Sequence, residues 1–286
     1  MKTKHTTLTL AKLKEEGKLI SQVTAYDYTM ASLVDRTGIE MILVGDSLGM
    51  TMLGHKDTLP VTVDNMITYG SSVVRGAKNT FITVDMPFMS YQISAAQALE
   101  NAGRIMKETG ADSVKLEGGK SVCPQIKAIT DAGIPVIAHI GMTPQSVNAM
   151  GGFKVQGKGE ENARRVLEDA LAVQESGAFA VTLECVPPKL AALITKKLNI
   201  ITIGIGAGSG CDAQVLVCQD LLGMGDRNPK FVRTFGDIGT AITDAFSAYD
   251  AAVKDGSFPG EAESFVKSDC SDEYLAELDK TYLRLQ

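Results

Sequence analysis

Short apolar segments alternate with helical stretches along most of the 286-residue chain, and this alternation narrows the possible folds more than any other feature. The segments are rich in β-branched residues and apolar on both faces, as are strands of a parallel sheet covered by helices. Eight strands favour an α/β (β/α)₈ TIM barrel over an open doubly wound sheet, which usually has five or six strands. The predicted strands are Leu19–Ala25, Met41–Val44, Phe81–Val84, Ser113–Leu116, Pro135–Ala138, Ala180–Leu183, Ile200–Ile203 and Val215–Cys218.

A glycine follows four of the predicted helices, and a strand begins within about three residues of each glycine. These glycines are Gly38, Gly110, Gly133 and Gly177. Because glycine readily adopts the left-handed conformation that ends many helices, the repeated connector predicts a repeating βα unit. The spacing of Ser94 and Gln97 predicts a capping box at the start of a helix over residues 95–109.

The charge balance does not indicate a nucleic-acid-binding protein. The chain has 28 Lys and Arg against 34 Asp and Glu, a net charge of −6, and no basic run. Its five cysteines form no CxxC pair, which indicates reduced thiols rather than a zinc ribbon. The N-terminus lacks the apolar core of a secretory signal, and no apolar run approaches the length of a membrane span. We therefore expect a cytoplasmic protein that binds neither nucleic acid nor membrane.

Two more helices are predicted near the C-terminus, over about 238–254 and 272–284. The second helix carries an apolar stripe formed by Tyr274, Leu275, Leu278, Tyr282 and Leu285. Such a stripe covers a surface, either on the same barrel or on a neighbouring subunit. We expect residues 1–265 to form a single catalytic barrel domain and residues 266–286 to form a C-terminal helical extension.

Polar side chains stand at the C-terminal ends of five consecutive predicted strands. They are Asp46, Asp85, Glu117, His139 and Glu184. In a barrel these ends converge on one mouth, where active sites of this architecture lie. Crowded carboxylates raise one another's pKa unless a cation joins them, and oxygen ligands select a hard cation such as Mg²⁺. The alternative is that each carboxylate only caps a helix or is solvated in a loop.

Three other features have weaker functional signals. Residues 152–158 match the first seven positions of a P-loop, but Gly159 stands where Ser or Thr must hold the metal, so nucleotide binding is not expected. The glycine-rich loop 204–210 follows the seventh strand and brings its backbone close either to a ligand or to a neighbouring strand. Cys185 is expected to be a packed thiol rather than a nucleophile, because no His lies near it in sequence.

Several long motifs, in the same order, resemble those of the ketopantoate hydroxymethyltransferase (3-methyl-2-oxobutanoate hydroxymethyltransferase) family. The resemblance extends from about Lys4 to Phe265. It implies a barrel of the phosphoenolpyruvate/pyruvate superfamily that assembles as a homodecamer. The motifs are VGDSLGM at 44–50, DMPF at 85–88, VKLEGG at 114–119, HIGMTPQS at 139–146 and LECVP at 183–187.

The resemblance also implies an activity and the residues that perform it. A hydroxymethyl group passes from 5,10-methylenetetrahydrofolate to 3-methyl-2-oxobutanoate, giving 2-dehydropantoate (ketopantoate) for pantothenate and coenzyme A biosynthesis. Mg²⁺ is implied, with Asp46, Asp85 and Glu117 as its associated carboxylates. Glu184 is implied as the proton acceptor. The implied contacts of the 2-oxo acid are Asp46, Ser47, Asp85 and Lys115.

The chemistry of a 2-oxo acid agrees with this expectation. Its carboxylate and keto oxygens can chelate Mg²⁺, which stabilises the enolate formed when a proton leaves C3. The enolate carbon then attacks the methylene carbon of the folate-derived iminium, while Lys115 provides a positive charge for the substrate carboxylate. Two alternatives stay open: a magnesium-dependent C–C lyase or mutase of the same superfamily acting on another 2-oxo acid, and a catalytically inactive barrel that serves as a scaffold.

Overall fold

The structure is a computed structural model that describes residues 3–225, 229–265, 267 and 269–282. The chain forms two compact units, Met1–Gly236 and Asp237–Gln286. All strands of the described residues lie in the first unit. The boundary between these units lies between Gly236 and Asp237. The division into a 1–265 domain and a 266–286 extension stays a prediction.

Within the described residues, eight parallel strands close into a barrel in chain order, and the last strand pairs with the first. This arrangement confirms the predicted (β/α)₈ architecture. β8 begins and ends two residues before the predicted segment, and Cys218 already belongs to the helix that follows it. The strands are β1 (Ile20–Thr24), β2 (Met41–Val44), β3 (Phe81–Asp85), β4 (Ser113–Glu117), β5 (Val136–Gly141), β6 (Ala180–Glu184), β7 (Ile201–Ile205) and β8 (Ala213–Leu216).

Helices alternate with the strands in the first unit, the second unit contains helices as well, and short 3₁₀ turns occur at Lys120–Val122, Pro144–Ser146 and Glu261–Glu263. In the part of the chain that is described, no helix is both long enough and apolar enough to cross a membrane. The α-helices are α1 (Thr7–Glu15), α2 (Tyr28–Asp35), α3 (Leu48–Thr51), α4 (Val63–Gly76), α5 (Ala95–Thr109), α6 (Cys123–Asp131), α7 (Val147–Met150), α8 (Glu160–Glu175), α9 (Pro188–Lys197), α10 (Cys218–Leu221), α11 (Ile238–Asp255) and α12 (Asp272–Thr281).

The ends of α5 lie where its sequence predicts them. The Ser94 hydroxyl accepts a hydrogen bond from the Gln97 N–H at 3.1 Å, which satisfies one of the free donors of the first turn. The Gln97 side chain accepts from the Ile93 N–H rather than from Ser94, so only the serine half of the predicted capping box forms. The helix stops at Gly110, which has the left-handed φ of 76°.

The predicted glycine connector is confirmed at three of its four positions. Gly110, Gly133 and Gly177 have positive φ angles of 76°, 84° and 101°. Gly38 does not adopt this conformation, so the expectation was wrong there. The Thr37 hydroxyl instead donates to the Val34 carbonyl and accepts from the Ile39 N–H, which ends α2 without a left-handed residue.

Two carboxylates accept hydrogen bonds from the backbone of neighbouring strands at the N-terminal ends of the strands. Asp112 accepts from the Ile82 N–H at 2.8 Å and pairs with Lys4. Asp212 accepts from the Thr202 N–H at 2.8 Å and pairs with Lys14 at 2.6 Å. Both carboxylates satisfy backbone donors at the end of the barrel where the strands begin, so they stabilise the fold.

The second unit contains the two predicted C-terminal helices. α11 ends at Asp255, one residue beyond its prediction, and α12 ends at Thr281 rather than at residue 284. On α12, Tyr274 and Leu275 are exposed, while Leu285 of the predicted stripe lies outside the described residues. What this stripe covers stays a prediction.

Candidate active site

A cavity of about 360 Å³ opens at the C-terminal ends of the strands. Its walls contain every residue that the sequence singled out for the metal, the 2-oxo acid or the proton. The structure therefore brings together side chains that are spread over about 140 residues of sequence. These residues are Asp46, Ser47, Asp85, Lys115, Glu117, His139 and Glu184.

The register of neighbouring strands places a carboxylate beside a lysine side chain inside this cavity. Asp85 ends β3 and lies opposite Lys115 of β4 in the parallel ladder. The Lys115 Nζ is 2.8 Å from the Asp85 Oδ1, and the two side chains are 6% and 4% exposed. The other Asp85 oxygen accepts the Asp46 N–H at 3.0 Å. Asp85 therefore joins the ends of three consecutive strands.

Burial and mutual repulsion shape the charges of these side chains. Burial, together with the negative charges of Asp85 and Glu117, raises the pKa of Asp46 well above its ordinary value. Burial also raises the pKa of Asp85, although Lys115 opposes this change. For Lys115, burial favours the neutral form, but the surrounding carboxylates outweigh it and raise the pKa, so the ammonium stays charged.

His139 lies between two carboxylates near the end of β5. Its Nδ1 is 3.4 Å from the Glu117 Oε1, and its Nε2 is 3.1 Å from the Glu184 Oε2. Burial and the Lys115 charge oppose protonation, yet Glu117 and Glu184 outweigh them and raise the His139 pKa to about 9. The Nε2–Glu184 contact lacks good hydrogen-bond geometry, so its attraction is mainly electrostatic. His139 is therefore a second cation in the cavity near neutral pH.

Two residues of the site escaped the sequence reasoning. The Gln145 Nε2 donates to the Asp46 Oδ2 at 2.8 Å, and the Gln145 N–H donates to the Glu117 Oε2 at 2.9 Å. The Tyr91 hydroxyl lies 2.6 Å from the Gln145 Oε1. The sequence signals were that Gln145 follows β5 by a few residues and lies in the HIGMTPQS motif at 139–146. A further residue, Tyr26, lies 2.8 Å from the Ser47 hydroxyl and holds it at the cavity wall.

The glycine loop after β7 approaches protein atoms. A side chain at Gly208 would collide with Pro188, and one at Gly210 would collide with Ala192, both on α9. A side chain at Gly206 would meet the Phe231 ring. The close approach that the sequence indicated is thus a packing contact with α9 and the chain after α10.

Two further ionisable residues line the cavity. Burial, with a smaller effect of the Glu184 charge, raises the pKa of the Cys185 thiol to about 11, which agrees with a packed thiol rather than a nucleophile. Asp220 of α10 lies on the cavity wall, and burial raises its pKa. Neither residue adds a cation to the site.

The sequence matches a known family over most of its length. A family model for ketopantoate hydroxymethyltransferase matches residues 4–261. The 3-methyl-2-oxobutanoate hydroxymethyltransferase of Clostridium novyi (strain NT) is 57% identical over 263 residues, which cover 92% of this chain and 96% of that protein. The enzyme of the same name from Enterococcus faecalis (strain ATCC 700802 / V583) is 55% identical over 267 residues, covering 93% and 97%.

Solved structures with low sequence identity share the fold. A 2,3-dimethylmalate lyase of the PEP mutase/isocitrate lyase superfamily gives a TM-score of 0.59 at 15% identity, covering 96% of this chain and 95% of that one. A phosphoenolpyruvate phosphomutase from Streptomyces platensis subsp. rosaceus gives 0.59 at 14%, covering 98% and 100%. These likenesses show the barrel fold alone. The family model and the close relatives establish that the chain belongs to the ketopantoate hydroxymethyltransferase family.

Proposed function

We propose that this protein transfers a hydroxymethyl group from 5,10-methylenetetrahydrofolate to 3-methyl-2-oxobutanoate, giving ketopantoate for pantothenate and coenzyme A biosynthesis. Family membership supports the reaction. The observation that carries the proposal is the crowding of strand-end groups: four carboxylates line one cavity together with Lys115 and His139. The carboxylates are Asp46, Asp85, Glu117 and Glu184.

A divalent cation fits this group of carboxylates, because it would offset the mutual repulsion that raises the pKa of Asp46. Oxygen ligands favour Mg²⁺, so Asp46, Asp85 and Glu117 would hold it together with oxygens of the substrate and water. Among the described residues, no group of three or more His, Cys, Asp or Glu side chains is already arranged to hold a metal ion, so the substrate and water would have to supply part of the coordination. When bound, Mg²⁺ withdraws electron density from the keto oxygen of the 2-oxo acid, which makes the C3 proton more acidic.

Lys115 and Ser47 serve to bind and orient the 2-oxo acid. The Lys115 ammonium is buried and charged, so it is suited to attract a substrate carboxylate in a place where water screens the charge little. Ser47 is held by the Tyr26 hydroxyl, which fixes its position on the wall. Together they orient the substrate with C3 toward Glu184.

Glu184 is the proposed proton acceptor. Its carboxylate ends β6 and reaches the cavity, where its Oε2 lies 3.1 Å from the His139 Nε2. An ionised carboxylate is the form that removes the C3 proton. C3 then bonds to the methylene carbon of the folate-derived iminium. The bond between that carbon and the folate nitrogen breaks as water supplies the hydroxyl of the new hydroxymethyl group, and tetrahydrofolate leaves with the second proton of the water on its nitrogen.

The outer walls of the same cavity are mainly apolar. Met50, Pro144, Phe153 and Phe231 line them. Flat rings bind well against such surfaces, so we assign this part of the cavity to the pterin ring of the co-substrate. By family resemblance we also propose that the enzyme acts in the cytoplasm as a homodecamer.

A product assay tests the proposed function. The purified protein is incubated with 3-methyl-2-oxobutanoate, methylenetetrahydrofolate and Mg²⁺, and ketopantoate is measured by mass spectrometry. Product that depends on all three additions is the expected result. Absence of ketopantoate, together with cleavage of an isocitrate-like substrate, would instead support the C–C lyase of the same superfamily.

A further inference from the structure

A chain of hydrogen bonds runs behind the proposed metal carboxylates. The Glu117 N–H donates to the Tyr91 hydroxyl at 3.1 Å, and that hydroxyl donates to the Gln145 Oε1 at 2.6 Å. The Gln145 Nε2 then donates to the Asp46 Oδ2 at 2.8 Å. Because each group donates to the next, the bonds polarise one another in one direction, toward the Asp46 carboxylate.

The Gln145 amide has only one orientation that satisfies its neighbours. Its two N–H groups donate to the Asp46 Oδ2 and to the Met86 carbonyl, at 2.8 and 3.0 Å. Its oxygen accepts from Tyr91 and, at 3.3 Å, from Gln92. Rotating the amide by half a turn would point its oxygen at the carboxylate and the carbonyl, so the observed orientation is fixed.

Gln145 binds one oxygen of the Asp46 carboxylate and one oxygen of the Glu117 carboxylate. Its side chain binds the Asp46 Oδ2, and its backbone N–H binds the Glu117 Oε2 at 2.9 Å. Asp46, Glu117, Gln145 and Tyr91 are between 1% and 6% exposed. Water therefore cannot replace these bonds easily. The other Glu117 oxygen lies 3.4 Å from the His139 Nδ1, on the side of the carboxylate away from Gln145.

We propose that Gln145, oriented by Tyr91, is a positioning residue that sets the Asp46 and Glu117 carboxylates for the metal. The inference rests on the proposed metal-dependent function. Gln145 touches neither substrate nor metal in this role. Hydrogen bonds behind metal ligands typically contribute 10–100-fold to metal affinity, because they orient the ligands before the ion arrives.

Metal affinity measured by the Mn²⁺ electron paramagnetic resonance signal tests this role without any turnover. Two variants remove the side-chain bonds while keeping side-chain size, Gln145→Met and Tyr91→Phe, and both keep the backbone N–H of residue 145 that binds Glu117. The control is Gln174→Met, because Gln174 on α8 also binds backbone donors, the N–H groups of Asn199 and Ile200, but does so at the opposite end of the barrel. Near-ultraviolet circular dichroism and thermal melting verify that each variant is folded.

We expect Mn²⁺ to bind roughly 10–100-fold more weakly to Gln145→Met and about 10-fold more weakly to Tyr91→Phe. Gln174→Met should keep the parent affinity. Folded variants at positions 145 and 91 that bind Mn²⁺ within twofold of the parent would overturn the positioning role alone. If Gln145→Met does not fold, Tyr91→Phe decides the question. A parent enzyme that binds no Mn²⁺ would overturn the proposed metal site and this inference together.

Discussion

The Lys115 Nζ lies 2.8 Å from the Asp85 Oδ1 in a setting where both side chains are less than a tenth exposed. Register alone produces this pair, since Asp85 and Lys115 are partners in the β3–β4 ladder. A buried pair loses much of its solvation on folding, so its intact state adds little to stability. Removing one partner, however, leaves a buried charge without compensation.

The Lys115→Met variant should lower the free energy of unfolding by about 3 kcal/mol and weaken binding of the 2-oxo acid. The stability loss follows from the uncompensated carboxylates, and the binding loss follows from the missing positive charge. Urea denaturation measures the first effect, and calorimetric titration with 3-methyl-2-oxobutanoate measures the second.

Lys120→Met is the matched control for this variant. Lys120 pairs with Glu168 at 2.6 Å, but the two side chains are 57% and 46% exposed. Exposed pairs contribute about 0–1 kcal/mol, so this change should leave stability and binding nearly unaltered. Equal effects of the two substitutions would show that burial does not matter to the Asp85–Lys115 pair.

The Gly141→Ala variant should lower stability by about 1–3 kcal/mol and reduce activity. Gly141 ends β5 with a φ of 92°, and a Cβ there would overlap the carbonyl oxygen of Glu184. The added methyl group therefore strains the backbone and displaces the proposed base at the same time. Thermal melting and the ketopantoate assay measure the two effects.

Gly103→Ala is the comparison for this substitution. Gly103 lies within α5, and a Cβ there would meet no atom within 4 Å. It should raise the free energy of unfolding by about 0.5–1 kcal/mol, because alanine restricts the unfolded chain. A Gly141→Ala enzyme as stable and active as Gly103→Ala would show that the mouth tolerates the methyl group.

The strands could be predicted because each is buried on both faces and therefore reads as an apolar run. Their C-terminal ends could not, since Asp85, Glu117, His139 and Glu184 belong to the strands themselves. These residues turn polar side chains toward the mouth while their backbones continue the ladder. A prediction that ends a strand before the charged residue at its C-terminal end therefore makes the strand too short when that residue faces an active site.

The residues that support the site were beyond the reach of local patterns. Gln145 binds Asp46 across 99 residues of sequence, and Tyr91 binds Gln145 across 54. Such contacts arise only when the loops after different strands fold together over the mouth. The sequence therefore identified the groups that face the cavity but not the groups that hold them.

The Cys185 thiol should react slowly with iodoacetamide near neutral pH. Its pKa is raised to about 11, so the protonated form dominates, and only about a thousandth of the thiol is ionised at pH 8. Its alkylation rate should rise about tenfold per pH unit until the pH approaches its pKa. Peptide mass spectrometry follows this rate against that of the exposed Cys270. Equal rates at pH 8 would contradict the description of Cys185 as a packed thiol.

Exchange of the C3 proton of 3-methyl-2-oxobutanoate into deuterated water tests the proposed role of Glu184 most directly. The parent enzyme with Mg²⁺ should catalyse exchange, followed by nuclear magnetic resonance, because Glu184 removes that proton. The Glu184→Gln variant should bind the 2-oxo acid and Mg²⁺ but lose exchange by at least about 100-fold. Glu168→Gln, an exposed substitution on α8, should exchange at the parent rate. Exchange by Glu184→Gln at the parent rate would contradict Glu184 as the base.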